Sequence, residues 1–283
     1  MKPSRLLVAV ALALLATVPL PARQPAALQS SDLAGLRLRN IGPATMSGRV
    51  VDMDVVESDP YTMYVASSTG GVFRTTDNGV TWTPVFEREA VHSVGDIAVF
   101  QPEPRILWVG TGERANRQSV SWGDGVYKST DAGKTFVNVG LPESHHIGRV
   151  LTHPTNPDIA YVAAQGHLWE HNPDRGIYKT IDGGKTWRRL ANGLPTDGKT
   201  GASDIQMDPT NPNILYAGLW YFDRKQWTFT SGSEQGGIYK SVDGGQTWRK
   251  LGGGLPKLLG RVGIKVAPSS PNTVYAITES KEG

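Results

Sequence analysis

The sequence predicts an all-β fold: an incomplete β-propeller of four-stranded antiparallel blades, four of them complete and a fifth half-built. Three observations lead there. A box of the form S/T-x-D-x-G-x-T-W/F occurs four times, as Thr75-Thr-Asp-Asn-Gly-Val-Thr-Trp82, Ser129-Thr-Asp-Ala-Gly-Lys-Thr-Phe136, Thr180-Ile-Asp-Gly-Gly-Lys-Thr-Trp187 and Ser241-Val-Asp-Gly-Gly-Gln-Thr-Trp248. One frame surrounds each copy: a strand opening on Gly, a D/H-P or N-P turn, a strand ending in Tyr-Val or Tyr-Ala, and a Gly-led strand running into the box. Finally, 33 glycines and 19 prolines among 283 residues suit many short strands joined by tight turns.

The elements follow from that frame in order. In the first repeat, strands are expected at about residues 49–56, 63–67, 71–75 and 81–86, with Asp59-Pro60 turning the first pair and the box turning the last. Later repeats open near Gly95, Gly148 and Ala202, and a fifth begins at Gly260 and reaches Val274-Tyr275-Ala276-Ile277. The blades fall at about 48–92, 93–144, 145–196 and 197–257, with a broken blade at 258–283. The box aspartates Asp77, Asp131, Asp182 and Asp243 are 54, 51 and 61 residues apart. That exceeds the roughly 40–50 residues of a four-stranded blade, so the surplus belongs in loops. A half-blade leaves an unpaired strand edge, which reads as a fragment of a longer polypeptide.

Before the repeats, residues 1–27 carry Lys2 and Arg5, an apolar run from Leu6 to Leu20, and small residues around Ala22 to Ala27, the pattern of a cleaved signal peptide. The run is too short for a membrane span, which takes about 20 residues. A periplasmic or secreted bacterial protein is expected, with residues 28–47 as a lead-in and no transmembrane segment after signal removal. Charge supports this division. The chain has 29 basic and 26 acidic residues, and Lys2, Arg5 and Arg23 in the leader account for the excess. The rest is balanced, which argues against a nucleic-acid partner. The absence of cysteine rules out disulfides and thiolate chemistry.

The box has a physical meaning of its own. Its aspartate can accept hydrogen bonds from its own turn, Gly79, Gly133, Gly184 and Gly245 can supply positive φ, and the aromatic residues Trp82, Phe136, Trp187 and Trp248 can pack on a neighbouring sheet. One carboxylate per box is far short of a calcium shell of six to eight oxygens. The boxes are therefore read as structural.

The surplus length falls between the second and third strands of the later blades, at residues 112–123, 165–175 and 220–235. Antiparallel topology puts these loops on one face and the box turns on the other. The first holds Glu113, Arg114, Asn116, Arg117 and Trp122, with Asp124 just beyond it; the second holds His167, Trp169, Glu170, His171, Asp174 and Arg175; the third holds Trp220, Tyr221, Asp223, Arg224, Trp227 and Glu234. Aromatic rings beside carboxylates, arginines and amides suit a glycan or a peptide, so this is the expected binding face. No cofactor and no metal ligand is expected. His167 and His171 are four apart, but Leu168 stands where an HExxH zinc helix needs Glu, and the segment reads as loop. His145 and His146 are placed at the channel mouth or in solvent, without a ligand. No phosphate loop, dinucleotide glycine motif or nucleophile elbow is visible.

The boxes, together with Asn40-Ile-Gly-Pro43, Gly48-Arg-Val50, Gly70-Gly-Val-Phe-Arg74, Gly110-Thr-Gly-Glu113, Ser121-Trp-Gly-Asp-Gly-Val-Tyr-Lys128 and Gly166-His-Leu-Trp169, resemble the Asp-box, or bacterial neuraminidase repeat, propellers. These include bacterial sialidases, xyloglucan-cleaving glycosidases and the sortilin ectodomain; the nearest form is the sortilin-like, glycosyl-hydrolase-like exported bacterial proteins. The resemblance implies a propeller over about residues 37–283. Sialidases of this kind carry an early Arg-Ile-Pro motif, whereas the nearest string here is Arg105-Ile-Leu107. In the xyloglucan-active enzymes an aspartate before the first Gly-Gly is the catalytic base, and Ser68 stands at that position. A serine cannot serve as one of two glycosidase carboxylates. The resulting expectation is an exported, non-catalytic propeller scaffold that binds a protein, peptide or carbohydrate. The alternative is a glycoside hydrolase, xyloglucanase-like or sialidase-like.

Overall fold

The computed structural model describes Gly35 and residues 48–280. The expected signal peptide, the lead-in segment and the Asn40–Pro43 motif lie outside the described residues, apart from Gly35. Among residues 48–280 the regular structure is β throughout, apart from one 3-10 turn at Pro142–Ser144. Among the described residues, no helix is long and apolar enough to cross a membrane.

The chain forms an incomplete β-propeller. Blade 1 holds β1 (Val50–Val55), β2 (Met63–Ser67), β3 (Gly71–Thr75) and β4 (Thr83–Pro84), paired in that order. Blade 2 repeats this with β5 (Val94–Val99), β6 (Leu107–Thr111), β7 (Val126–Ser129) and β8 (Val137–Asn138). Blade 3 does so with β9 (Ile147–Thr152), β10 (Ala160–Ala164), β11 (Gly176–Thr180) and β12 (Arg188–Leu190). Blade 4 holds β13 (Thr200–Asp208), β14 (Asn211–Arg224), β16 (Gly237–Ser241) and β17 (Arg249–Lys250), with β15 (Phe229–Ser231) hairpinned onto the far end of β14. Strands β18 (Leu259–Val266) and β19 (Val274–Ser280) pair with each other as a two-stranded sheet.

The third long loop is thus shorter than expected. Trp220, Tyr221, Asp223 and Arg224 continue β14, and the irregular parts are the tip around Trp227 and the link at residues 232–236, which turns at Glu234. The reason is composition: Leu-Trp-Tyr-Phe is a bulky, strand-favouring run that extends the ladder instead of breaking it.

The core consists of layers between blades. Val72, Phe86, Val94, Leu107 and Phe136 fill the first layer, Trp108, Ile147, Val162 and Tyr178 the second, and Tyr161, Ile205, Leu215 and Trp248 the third. Because each interior blade is covered on both faces, β6 and β10 are buried at every residue, and both read as continuous rather than alternating apolar runs. The innermost strands approach closely. A Cβ on Gly95 would run into the Ile147 carbonyl, so glycine is what allows blades 2 and 3 to meet there.

Inner-strand aspartates clasp one blade to the next. Asp52 Oδ2 accepts from Ile97 N (3.3 Å), Asp96 Oδ2 from Val150 N (2.8 Å) and Asp204 Oδ2 from Ile264 N (2.7 Å). Each aspartate follows a register irregularity in its strand, at Val50/Asp52, Val94/Asp96 and Ala202/Asp204. A bulge turns a side chain out of its normal alternation, here toward the neighbouring blade. Blade 3 carries Arg149 instead. Its guanidinium lies 3.0 Å from Asp96 and 3.1 Å from Asp204, and 3.9 Å from Asp52. One side chain thereby joins all four complete blades.

Candidate functional site

The four boxes share one geometry. In the first, Asp77 Oδ1 accepts from Thr75 Oγ1 (2.7 Å) and Thr81 N (2.9 Å), and Oδ2 accepts from Thr81 Oγ1 (2.6 Å). Asp131, Asp182 and Asp243 repeat those contacts with Thr135, Thr186 and Thr247. The hydrogen bond from each threonine hydroxyl leads in holding these carboxyls at about 2, below the usual range. Two consecutive residues in each turn have positive φ, so Asn78, Ala132, Gly183 and Gly244 share the left-handed region with the box glycines. Phe136 meets Phe86 edge-on (5.0 Å) and Trp187 meets Trp108 edge-on (6.1 Å), each packing on the preceding blade. Trp82, in the first blade, remains 40% exposed. These aspartates are committed to their turns, and nothing in their surroundings aims them at a ligand.

The opposite end is irregular. Leu168, Trp220 and Phe222 form a small apolar cluster against Val120, which brings segments of blades 2, 3 and 4 together. Asn116 ties blade 2 to blade 4, accepting from Arg224 Nε at its Oδ1 (2.6 Å) and from Nη2 at its carbonyl (2.7 Å).

Several residues expected on the binding face are consumed by this architecture. Arg175 is fully buried and donates to the carbonyls of Lys199 (2.5 Å), His167 (2.7 Å), Phe222 (3.1 Å) and Glu170 (3.1 Å), with its guanidinium over the Phe222 ring. Burial, only partly opposed by the Asp197 and Asp223 carboxylates, brings it down to about 10. Glu113 is buried and paired with Arg49, Trp220 is buried with its indole N–H on Ser231 Oγ (2.8 Å), and Arg224 is buried over Phe229. Asp124 accepts from the Tyr127 hydroxyl (2.8 Å). These groups brace loops, because segments that run over the propeller end must have their carbonyls and amides satisfied somewhere.

What stays open is a cleft of about 170 Å³ between the blade 2 and blade 3 loops, lined by Trp122, His145, His146, His167, Trp169 and Glu170 among others. Trp122 is 65% exposed and Trp169 41%. Arg117 and Trp227 are also exposed, while His171 and Asp223 pair across 3.9 Å beside Lys225. A larger groove of about 410 Å³ lies at the box end, lined by Arg74, Glu87, Lys134 and box threonines but by no aromatic ring.

Within the cleft, His145 and His167 stack at 3.6 Å between ring centroids, and Trp122 extends the stack beyond His145. His167 Nδ1 is 3.1 Å from Glu170 Oε1, and its Nε2 is 3.4 Å from Glu143 Oε2. His145 Nε2 is 3.9 Å from the same Glu143 oxygen. His145 itself has positive φ (48°) just after the 3-10 turn. Burial, then the neighbouring His167, brings His145 below the usual histidine range, and burial brings His146 down to about 3. The partner of His167 is therefore not His171, four residues on, but His145 from the preceding linker. Sequence spacing could not show this, since the fold brings together residues 22 apart.

With this geometry in view, the comparisons place the chain. The model of the sortilin family, described as sortilin, neurotensin receptor 3, matches residues 124–282, more than half of the sequence. The chain belongs to the Sortilin-Vps10 family. It is also 24% identical over 230 residues to a xyloglucanase of Acetivibrio thermocellus, covering 74% of this chain and 26% of that enzyme. A probable oligoxyloglucan-reducing end-specific xyloglucanase of Neosartorya fischeri is 22% identical over 206 residues, covering 68% of this chain and 22% of the other. Among solved structures, an ancestral GH74 enzyme superposes with a TM-score of 0.61 at 18% identity, over 85% of this chain and 30% of that one. The GH74 xyloglucanase of Xanthomonas campestris gives 0.58 at 19% identity, over 80% and 35%. These structures share the propeller fold. This family member spans about a quarter of the length of the curated relatives it matches.

Ser68, at the position the resemblance gives to a catalytic base, is buried, and its Oγ accepts from Arg49 N (3.1 Å). It serves as a backbone anchor at the start of the first blade.

Proposed function

We propose that this chain supplies the polysaccharide-binding face of a larger exported propeller protein, holding a glycan of the xyloglucan class across the loop end. The observation that carries the proposal is the pair of exposed indoles, Trp122 and Trp169, at one cleft with imidazoles and a carboxylate between them. Sugar rings stack their apolar C–H faces on such surfaces while polar groups fix orientation. The cleft is small beside the roughly 300–1,000 Å³ of a pocket that encloses its ligand, which suits a chain lying across it. The names of the xyloglucanase relatives support the substrate class.

Hydrolysis is the second reading, favoured by those same relatives. It requires two carboxylates, and with Ser68 committed to Arg49 N the full-length protein would draw the pair from other positions.

Calorimetric titration with xyloglucan oligosaccharides tests the first reading. Trp122→Ala and Trp169→Ala should each weaken binding by about tenfold, the equivalent of one lost stacking contact. Trp227→Ala, at the hairpin tip, should leave it within about twofold. Binding that survives both cleft substitutions, or no binding at all, removes the proposal. Release of reducing ends from xyloglucan by the full-length protein decides the second reading.

A further inference from the structure

We propose that the box-end groove between blades 1 and 2 binds an oxyanion of the phosphate or sulfate class. The site departs from a pattern that the blades otherwise repeat. At one register position each complete blade sets a cation of its third strand opposite an aromatic residue of its second: Arg74 opposite Tyr64, Lys128 opposite Trp108, Lys179 opposite Tyr161 and Lys240 opposite Tyr216. Each cation lies over its ring, 4.5–5.8 Å from the centroid.

In blades 2 and 3 the cation also reaches the next blade. Lys128 Nζ donates to the Gly183 carbonyl (3.2 Å) and Lys179 Nζ to the Gly244 carbonyl (3.0 Å), in each case the residue after a box aspartate. The matching acceptor for Arg74 is the carbonyl of Ala132. That oxygen accepts from the Tyr64 hydroxyl instead (3.2 Å), and Arg74 Nε is buried with no hydrogen-bond partner. A buried donor left without an acceptor is costly, so an acceptor that enters beside Arg74 is stabilised there.

The rest of the groove suits an anion. Arg88 and Lys134 stand exposed beside Arg74, and Glu87 is the one carboxylate among the described lining residues. Three cations against one carboxylate leave a charge of +2, which a phosphate or sulfate offsets. Thr83, paired with Arg74 in the ladder, and Thr76 add exposed hydroxyls; the Thr81 hydroxyl is already committed to Asp77. A guanidinium presents forked N–H donors that match two oxygens of such an anion, whereas an ammonium is a point charge. No aromatic ring lines the groove, so a neutral sugar finds nothing to stack on. Its volume of about 410 Å³ exceeds that of a bare ion and falls within the roughly 300–1,000 Å³ of small-molecule sites, which fits an oxyanion carried as an ester on a sugar-sized molecule.

The competing reading is a solvated basic patch that attracts anions by charge alone. Calorimetric titration of the full chain at fixed ionic strength, with glucose 6-phosphate, inorganic phosphate and glucose as separate probes, distinguishes the two. One equivalent of glucose 6-phosphate should bind, about threefold or more tighter than inorganic phosphate, and glucose should not bind; equal affinity for the two phosphates would make the free ion the ligand. Arg74→Lys keeps the charge but gives blade 1 the pattern of blades 2 and 3, with the ammonium drawn to the Ala132 carbonyl, and should weaken phosphate binding by about tenfold or more. Lys134→Ala should weaken it by about threefold, and Lys185→Ala, its counterpart in the third box, should leave it unchanged. Near-ultraviolet circular dichroism checks that each variant is folded. Absence of saturable binding by either phosphate overturns the site, as does an Arg74→Lys variant that binds as tightly as wild type or a Lys185→Ala loss equal to that of Lys134→Ala. The probes and substitutions avoid the aromatic cleft, so the outcome is independent of the polysaccharide reading.

Discussion

Two arginines, the half-buried Arg149 and the fully buried Arg175, organise two regions of the molecule by opposite means. Arg149, on the inner strand of blade 3, faces Asp52, Asp96 and Asp204, and although burial alone would lower its basicity those carboxylates hold it firmly protonated. Arg175, at the foot of the blade 3 loop, donates its hydrogen bonds to carbonyls, and burial, partly opposed by Asp197 and Asp223, brings it down to about 10. The first arginine neutralises charges that other strands have already buried: burial pushes the Asp96 carboxyl up, with Arg149 and Arg114 opposing. The second caps orphan acceptors of a loop that has no ladder to join. Removing the first should loosen the contacts among all four complete blades, whereas removing the second should loosen one loop.

Arg149→Met is the harshest test of that contrast. Three carboxylates would lose their common cation, and breaking a buried pair from one side costs about 3–5 kcal/mol. Denaturant titration should show this loss, and a variant within about 1 kcal/mol of wild type would mean the charges are solvated. The second test is acid. The folded pKa of His146 lies below its unfolded value of about 6.5, so the unfolded chain takes up the proton first. The contribution of His146 is therefore complete above about pH 6.5, is lost as pH falls toward 3, and changes no further below that. His146→Asn, which keeps a donor for the Glu113 carbonyl now 2.9 Å from His146 Nδ1, should flatten that decline.

Arg175→Met should cost less, about 2 kcal/mol, because desolvation of the cation is relieved as its carbonyl contacts are lost. Its signature is local: hydrogen exchange should quicken in residues 167–172 and stay unchanged in β6 and β10. The smallest effect belongs to the box end. Ala132 has φ of 64°, where a Cβ is strained, so Ala132→Gly should stabilise by about 0.5–1 kcal/mol. A destabilised Ala132→Gly would show that turn to be relaxed as it stands.

The sequence disclosed what repeats locally. Strands β2 and β3 fall where the Tyr-Val ending and the Gly-led start place them, and each box turn is readable because its aspartate, threonines and glycine are within a few residues of one another. The inner-strand clasps were hidden because they keep no phase with the boxes. Asp52, Asp96 and Asp204 precede Asp77, Asp131 and Asp243 by 25, 35 and 39 residues, so a search for a fixed period misses them. The loop end was legible only as composition. Charged side chains in long loops read as solvent-facing, yet Arg175, Arg224 and Glu113 are buried because the loops fold over one another and need internal donors. The convergence of His145 on His167 depends on how two blades dock, which neither segment encodes alone.

The inner-strand clasp also bears on how such a protein can change size. In blades 1 and 2 the carboxylate reaches forward to an amide of the following blade, so blade 2 carries both an acceptor for its successor and a donor for its predecessor. A copy of blade 2, duplicated in tandem, would arrive already able to dock at both ends. Blade 3 breaks the rule: a second Arg149 would bring a cation without its three carboxylates. Tandem duplication is therefore better tolerated by the aspartate-bearing blade 2 than by the arginine-bearing blade 3.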